Sequence, residues 1–518
     1  MNSSTPSTME PSRLSSVRIF RWVARLVWNR RVGWTLVCLV SLLTLYYQWE
    51  NRRSALELKA AHARMVERIG TDNWVAFAAP GVPDEQNLFA LPVVEQWLHR
   101  DKERVRYVIP QGVFLPPGFV KPKVIENEVG KSSRVDFAGW AAGRDLKGEK
   151  PAVVMNRELG DGNGLLTQLA AGLSRSFSAW KPAQRETYSE AGANPYVAAQ
   201  PHVSNINKAV DDLGLHLRAA AAAGDVEKTR STALILLRLF PESATSHSWL
   251  VGSLVSTAVH GIAFEALQDA LGHPSWDEGG LRALQLQLGK INDLEVMERG
   301  MSIEVLTGFS FGLYLRETCR KGWAATEEMR FTSDDDTWLK SVFGIGTRCC
   351  YLYGPTGWHD ANTAFFAETY LDMLGPKSEL AWLDGRARGV ALKKRRDEEY
   401  RHLDWNMRRK IGAISLPNVG NLFDAAAEVL FRRRCLIIAC ELEKHRMKHG
   451  AFPSSLDGMK DELRPFAVND PARPKQLPSY RLEKEGYVLW SPGPDGRDDG
   501  GQAEQDFVWR MKFNPELP

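Results

Sequence analysis

The sequence lacks an excess of charge of either sign. Its 66 Lys and Arg residues nearly balance its 63 Asp and Glu residues, which leaves a formal net charge of +3 over 518 residues. A protein that binds nucleic acid needs a basic surface or stripe, and the overall balance gives no sign of one. We therefore predict no nucleic-acid partner.

Cysteine is scarce as well. The six cysteines form no CxxC pair, and Cys38 lies inside an apolar run, so their spacing suggests no disulfide framework. We expect buried free thiols. Oxidation of the pairs Cys349–Cys350 and Cys435–Cys440 is the alternative.

No local sequence motif indicates a particular reaction. The sequence has neither a GxSxG nucleophile elbow nor a P-loop lysine. The stretch GDGNGLL from Gly160 could cradle a phosphate, but it lacks the required spacing, which favours a turn before a helix. His445 and His449 have a spacing that can bind zinc, but basic neighbours disfavour it. The aspartates at 334–336 are expected to begin a helix rather than to hold a metal.

One apolar run predicts a membrane anchor. Residues 32–49 carry no charge, follow six arginines and have aromatic residues at both ends. The arginines favour a cytoplasmic N-terminus. A cleavable signal peptide is the alternative, disfavoured because no small-x-small cleavage site follows. We therefore predict an uncleaved transmembrane helix, with most of the chain outside the cytoplasm.

Two further stretches bear on the anchor. Residues 54–69 have helical spacing with mixed charges, which predicts a solvent-exposed continuation of the anchor helix. The apolar stretch 248–267 contains His260 and Glu265, which favours a buried helix over a second span.

The remaining pattern predicts a mainly α-helical protein. Seven prolines between Pro80 and Pro122 indicate an extended, loop-rich segment, and helical spacing follows it, including a helix–turn–helix around Gly224 and Asp225. No fixed-period repeat follows, so we expect an irregular helical body. The predicted organisation is a basic tail at 1–31, a transmembrane helix at 32–49, a juxtamembrane helix at 50–69, a proline-rich segment at 70–160, a helical domain at 161–420 and a C-terminal module at 421–518.

The C-terminal module is predicted to join a long helix to a small antiparallel sheet. The helix ends at Gly450, and strand-like runs lie on both sides of the loop GPDGRDDGGQAEQ. The candidate metal ligands in and directly after this loop are Asp495, Asp498, Asp499 and Asp506. Calcium prefers several oxygen ligands from a flexible, glycine-containing acidic loop. The two interpretations are a calcium site and a solvated acidic turn without an ion.

This module resembles the C-terminal part of the major pseudopilins of type II secretion systems. The resemblance rests on a helix running into KHGAFPSSLDGM, and on WSPGPDGRDDGG followed by an aspartate before a strand. It implies a calcium ion in the loop, with Asp495 matching the loop aspartate and Asp506 the one that begins the next strand. Asp498 and Asp499 are additions to the family pattern. The chain lacks the pseudopilin leader junction and the glutamate of the hydrophobic helix, so we do not expect it to polymerise as a pilin.

The whole chain is similar to a group of uncharacterised bacterial single-anchor proteins, with GVPDEQNLFALP after the anchor and GPDGRDDGG before the final strand. This resemblance implies the bacterial cytoplasmic membrane, with the body in the periplasm. We expect a non-catalytic envelope protein whose helical domain binds an unknown protein partner. The alternatives are an envelope hydrolase with a dispersed active site and an accessory protein of secretion or pilus machinery.

Overall fold

The protein is mostly helical and carries a small antiparallel sheet near its C-terminus, as the sequence predicts. The structure is a computed structural model that describes residues 30–78, 82–101, 104–107, 110–126, 133–177, 206–239, 250–291, 293–321, 352–375, 387–394, 397–398, 408–409, 412, 420–484, 486–493 and 495–512. The predicted helix start at 334–336 and the pair Cys349–Cys350 lie outside these residues.

The helices and strands have the following limits. The helices are α1 (Arg30–Ile69), α2 (Trp74–Ala78), α3 (Pro92–Glu95), α4 (Phe137–Ala141), α5 (Pro151–Leu159), α6 (Leu165–Ala171), α7 (Ile206–Ala223), α8 (Val226–Leu239), α9 (Leu250–Leu271), α10 (Glu278–Lys290), α11 (Asp293–Arg320), α12 (Gly357–Leu374), α13 (Gly420–His449) and α14 (Lys460–Leu463). The strands are β1 (Leu98–Asp101), β2 (Arg104–Tyr107), β3 (Val124–Glu126), β4 (Ser133–Val135), β5 (Ser479–Glu483), β6 (Gly486–Ser491) and β7 (Phe507–Lys512). The strands form two antiparallel hairpins, β1-β2 and β3-β4, and an antiparallel sheet in the order β5-β6-β7.

Helix α1 is one unbroken helix of 40 residues, which at 1.5 Å per residue is about 60 Å long. Among the described residues it is the helix that is long and apolar enough to cross a membrane, and its apolar half is exposed. The second half differs from the sequence-based expectation of a solvent-exposed continuation. One of its faces is buried through Ser54, Ala61 and Met65, because it packs against α12.

The mixed charges of α1 misled the sequence-based interpretation because they pair with distant parts of the body. Glu50 is almost completely buried directly after the apolar run, and Arg408 donates hydrogen bonds to both Glu50 and Glu57. Farther along the helix the pairs are Arg64 with Glu368 and Asp372, and Arg68 with Glu298 and the carbonyl oxygen of Gly375. The charged face of α1 is therefore a docking face.

The helix–turn–helix and the buried apolar helix are both confirmed. Helices α7 and α8 meet at Gly224 and Asp225, whose carboxylate accepts from the backbone N–H of Lys228 at 3.1 Å. Helix α9 lies in the main core. In that core the His260 ring stacks on Phe264, and Glu265 accepts from Arg432 at 3.2 Å.

The stretch from Gly160 forms a turn before α6, as predicted. Its geometry is held from inside by Lys228, which donates to the carbonyl oxygen of Gly160 at 2.7 Å and to the side chain of Asn156 at 2.7 Å. The carboxylate of Asp161 accepts from the backbone N–H of Thr167 at 3.1 Å. These hydrogen bonds give the turn a structural role.

Helix α13 is the central element of the body. Its first turns, including Phe423 and Ala427, share a hydrophobic core with α1, α11 and α12, while its later turns, including Leu436 and Ile438, share a second core with α7 to α10 and with the C-terminal sheet. The core is therefore continuous across residue 421, where the sequence predicts that the C-terminal module begins.

Three consecutive arginines lie in the buried middle of α13. Arg432 pairs with Glu265 and Glu428, Arg433 donates to the carbonyl oxygens of Leu288 and Ile291 at the end of α10, and Arg434 donates to the carbonyl oxygen of Asn469 at 2.6 Å. Arg433 satisfies carbonyl groups that a helix end leaves without intrahelical partners. The three side chains thus join α13 to three different parts of the chain.

The described cysteines are free thiols. Cys435 and Cys440 are fully buried in α13, and burial raises the pKa of each thiol. Cys319 is half-buried, and Cys38 lies exposed in the apolar half of α1. Within the described residues, the expectation of free thiols is confirmed, although Cys38 is exposed.

Candidate functional site

The acidic loop connects the end of β6 to the start of β7 in the C-terminal sheet. The two strands pair antiparallel up to Ser491 opposite Phe507, so the chain must leave and return at one place. Gly493 makes this closure possible, because a Cβ atom there would lie 1.7 Å from the carbonyl oxygen of Gln505. The backbones of Gly493 and Gln505 therefore approach so closely that position 493 has no room for a side chain.

Asp506 organises the backbone of the loop. Its side chain is buried, and its carboxylate accepts hydrogen bonds from the backbone N–H groups of Asp499 at 3.1 Å and Gly501 at 2.7 Å. Successive N–H groups that converge on one anion form a favourable nest. Asp506 therefore acts as an internal anion around which the loop turns.

Asp498 points in the opposite direction, toward the sheet and the preceding loop. One of its carboxylate oxygens accepts from the indole N–H of Trp490 at 2.8 Å and from the backbone N–H of Gly500 at 3.0 Å, and the other accepts from Arg473 at 2.9 Å. The Trp490 hydrogen bond, with further help from Gly500 and Arg473, lowers the pKa of Asp498. Its charged form is therefore favoured.

Of the other two predicted ligands, Asp495 is exposed and Asp499 is half-buried. Asp495 accepts from the backbone N–H of Arg497 at 3.0 Å, a local turn bond. The side-chain amide of Gln505 lies 3.2 Å from both carboxylate oxygens of Asp499, and the orientation that satisfies both groups has its nitrogen donating to them. Each of the four aspartates thus accepts hydrogen bonds from the protein.

A buried ion pair beneath the loop was not predicted from the sequence. Asp470 is fully buried, and it accepts from Arg473 Nε at 2.7 Å, from the Ser491 hydroxyl at 2.5 Å and from the backbone N–H of Ala472 at 2.9 Å. Arg473 also bonds Asp498 and the Ser479 hydroxyl. One guanidinium therefore joins the buried carboxylate to the acidic loop. The only signal in the sequence is the three-residue spacing of Asp470 and Arg473 in a proline-rich loop.

The fit of this loop to calcium can be judged from these contacts. Calcium needs about six to eight oxygen ligands around one point. Among the described residues, no group of three or more His, Cys, Asp or Glu side chains is placed to hold a metal ion. In this geometry Asp498 and Asp506 bond different partners, and Arg473 already supplies a positive charge. Calcium binding stays a prediction.

Two other places in the described part of the chain bring polar side chains together. The rings of His445 and His449 lie 4.4 Å apart, and His445 Nδ1 lies 3.0 Å from the carbonyl oxygen of Ala451, which ties that ring to the end of α13. A cavity of about 700 Å³ opens among residues 454–480. Its Asp457 carboxylate pairs with Lys460 at 2.6 Å and accepts from the Ser455 hydroxyl at 2.7 Å, contacts that belong to the start of a helical turn.

Comparison with known proteins finds no relative of this chain. No protein-family model matches the chain, no curated protein matches it, and no solved structure matches it.

The substitution Arg473→Met tests the network. It leaves the Asp470 carboxylate buried without its cation, and breaking a buried ion pair costs about 3–5 kcal/mol. We expect amide hydrogen exchange in residues 495–506 of the full chain to accelerate roughly 100-fold, measured by mass spectrometry.

The matched control is Arg497→Met, which removes an exposed arginine from the same loop. It should leave exchange almost unchanged, and the double variant Asp470→Asn/Arg473→Met should recover part of the lost protection. Equal exchange in the Arg473→Met and Arg497→Met variants would show that the ion pair does not hold the loop.

Proposed function

We propose that this chain is a non-catalytic, single-pass protein of the bacterial cytoplasmic membrane. Its N-terminus lies in the cytoplasm, and its helical body lies in the periplasm and binds a protein partner. The observation that carries the proposal is the continuity of α1, whose exposed apolar half passes without a break into a half that packs on the body. A helix of this kind holds the body at a fixed height above the bilayer.

The orientation rests on charge. Six arginines precede the apolar run, whereas Arg52 and Arg53 follow it. Basic residues near the ends of a span favour the cytoplasmic side, and the larger cluster lies on the N-terminal side. The proposal therefore puts the first 31 residues in the cytoplasm and the body on the other side.

The acidic loop is assigned a structural role in this proposal. Arg473 donates hydrogen bonds to both Asp470 and Asp498 from within the chain, and in this proposal these bonds hold the loop against the C-terminal sheet. A calcium-stabilised loop is the second candidate, supported by the resemblance to pseudopilins and by the exposed carboxylate of Asp495. An accessory role in secretion or pilus machinery rests on the same resemblance.

An envelope hydrolase is the catalytic alternative. Its site would have to be assembled from dispersed residues. The residues lining the cavity at 454–480 include serines and aspartates but no histidine. The Ser455–Asp457 contact lacks the histidine of a Ser-His-Asp triad, so this cavity does not favour a hydrolase of that kind.

Protease accessibility tests the proposed orientation. In spheroplasts of cells that produce the full chain with an N-terminal and a C-terminal epitope, added protease should remove the C-terminal epitope and spare the N-terminal one. The reverse pattern would contradict the orientation. Release of the uncut protein from membranes by alkaline carbonate would contradict the anchor itself.

Chelation separates the two candidates for the loop. Because Arg473 supplies the positive charge, we expect the melting temperature of the full chain and the exchange of residues 495–506 to be the same with EDTA and with added calcium. A ligand that binds only the folded state raises its stability. A lower melting temperature in EDTA, together with calcium found by elemental analysis, would establish the calcium site instead.

A further inference from the structure

A short segment of the body lies flush against α1 at the end of its apolar run. The Tyr47 hydroxyl donates to the carbonyl oxygen of Tyr353 at 2.7 Å, and the backbone N–H of Gly357 donates to Asn51 Oδ1 at 2.7 Å. The approach is so close that a Cβ atom on Gly357 would lie 2.8 Å from the Cα atom of Asn51. Residues 352–357 are therefore fixed at the height of residues 47–51.

That height corresponds to a membrane interface if α1 spans the bilayer. Residues 32–49 form the uncharged run, so Tyr46 and Trp49 lie where the hydrocarbon region ends, and both rings are exposed. The exposed Arg52 and Arg53 follow at once, and the Arg53 guanidinium lies 5.4 Å from the centre of the Trp49 ring. Aromatic rings and basic side chains in this order suit the lipid headgroup region.

Tyr353 is placed at the same height but comes from the body. Its side chain is 74% exposed, the largest value among the exposed large hydrophobic residues of the described chain. Its backbone is held by Tyr47 while its ring remains uncovered. A tyrosine ring has an apolar body and a polar tip, and such rings are enriched at membrane interfaces.

We infer that residues 352–357 form a second membrane contact, which places the Tyr353 ring among the lipid headgroups beside the point where α1 leaves the bilayer. This inference rests on the proposed membrane anchor and adds that the body itself touches the bilayer. Its partner is the lipid interface rather than a protein, because the Tyr47 and Asn51 contacts fix the segment to the end of the apolar run.

Photo-crosslinking in lipid vesicles tests the inference with the full chain. The photoreactive residue p-benzoylphenylalanine replaces Leu43, Tyr353 or Glu67, one at a time, in proteoliposomes of phosphatidylethanolamine and phosphatidylglycerol. Leu43 is exposed within the apolar run, and Glu67 is exposed on α1 about 27 Å beyond Trp49 at 1.5 Å per residue. Intact-protein mass spectrometry then detects added lipid.

We expect lipid adducts at positions 43 and 353 and none at 67. The substitution at 353 keeps the bond from Tyr47, which is made to the backbone, so melting curves should match those of the unsubstituted chain. An adduct at 43 alone would overturn the second contact and leave the anchor standing. Adducts at none of the three positions would overturn both, and an equal yield at 67 and 353 would overturn the assigned depth.

Discussion

The arrangement of the molecule depends on how the carboxylate of Glu50 is neutralised. This side chain lies directly after the apolar run of α1, where it is buried, and a buried carboxylate without a partner costs several kcal/mol, roughly 3–5 when its ion pair is broken. Arg408 provides the counter-charge and also reaches Glu57. Because Arg408 lies 358 residues farther along the chain, this one contact ties a late part of the body to the end of the anchor.

The connection from the anchor to the C-terminal sheet runs through α13. Its first turns share a core with α1, and its later turns share a core with β6 and β7. Arg434 extends this connection to Asn469, next to the buried Asp470, and Arg473 carries it to the acidic loop. The acidic loop is therefore held by a series of arginine contacts that begins in the centre of the body.

Local pattern was enough to predict several of the elements but not their partners. Hydrophobic spacing and capping residues identified the apolar run of α1, the hairpin of α7 and α8, the end of α13 and the three C-terminal strands. The docked face of α1 was missed because its charges look like those of a solvated surface, while Glu368 and Asp372, which pair with Arg64, lie some three hundred positions away. The four loop aspartates were placed on the right loop, yet their hydrogen-bond partners were not predictable, because a sequence does not reveal that Arg473 faces Asp498.

The central claim is that α1 continues unbroken from its apolar half to its docked half. Pulsed electron paramagnetic resonance between spin labels at Leu36 and Glu67 tests it directly, in the full chain with its accessible cysteines replaced and reconstituted in lipid nanodiscs. The two exposed positions are 31 residues apart, so at 1.5 Å per residue an unbroken helix should give a narrow distribution of distances centred near about 47 Å. A broad distribution that extends to much shorter distances would reveal a hinge between the two halves and would contradict the claim.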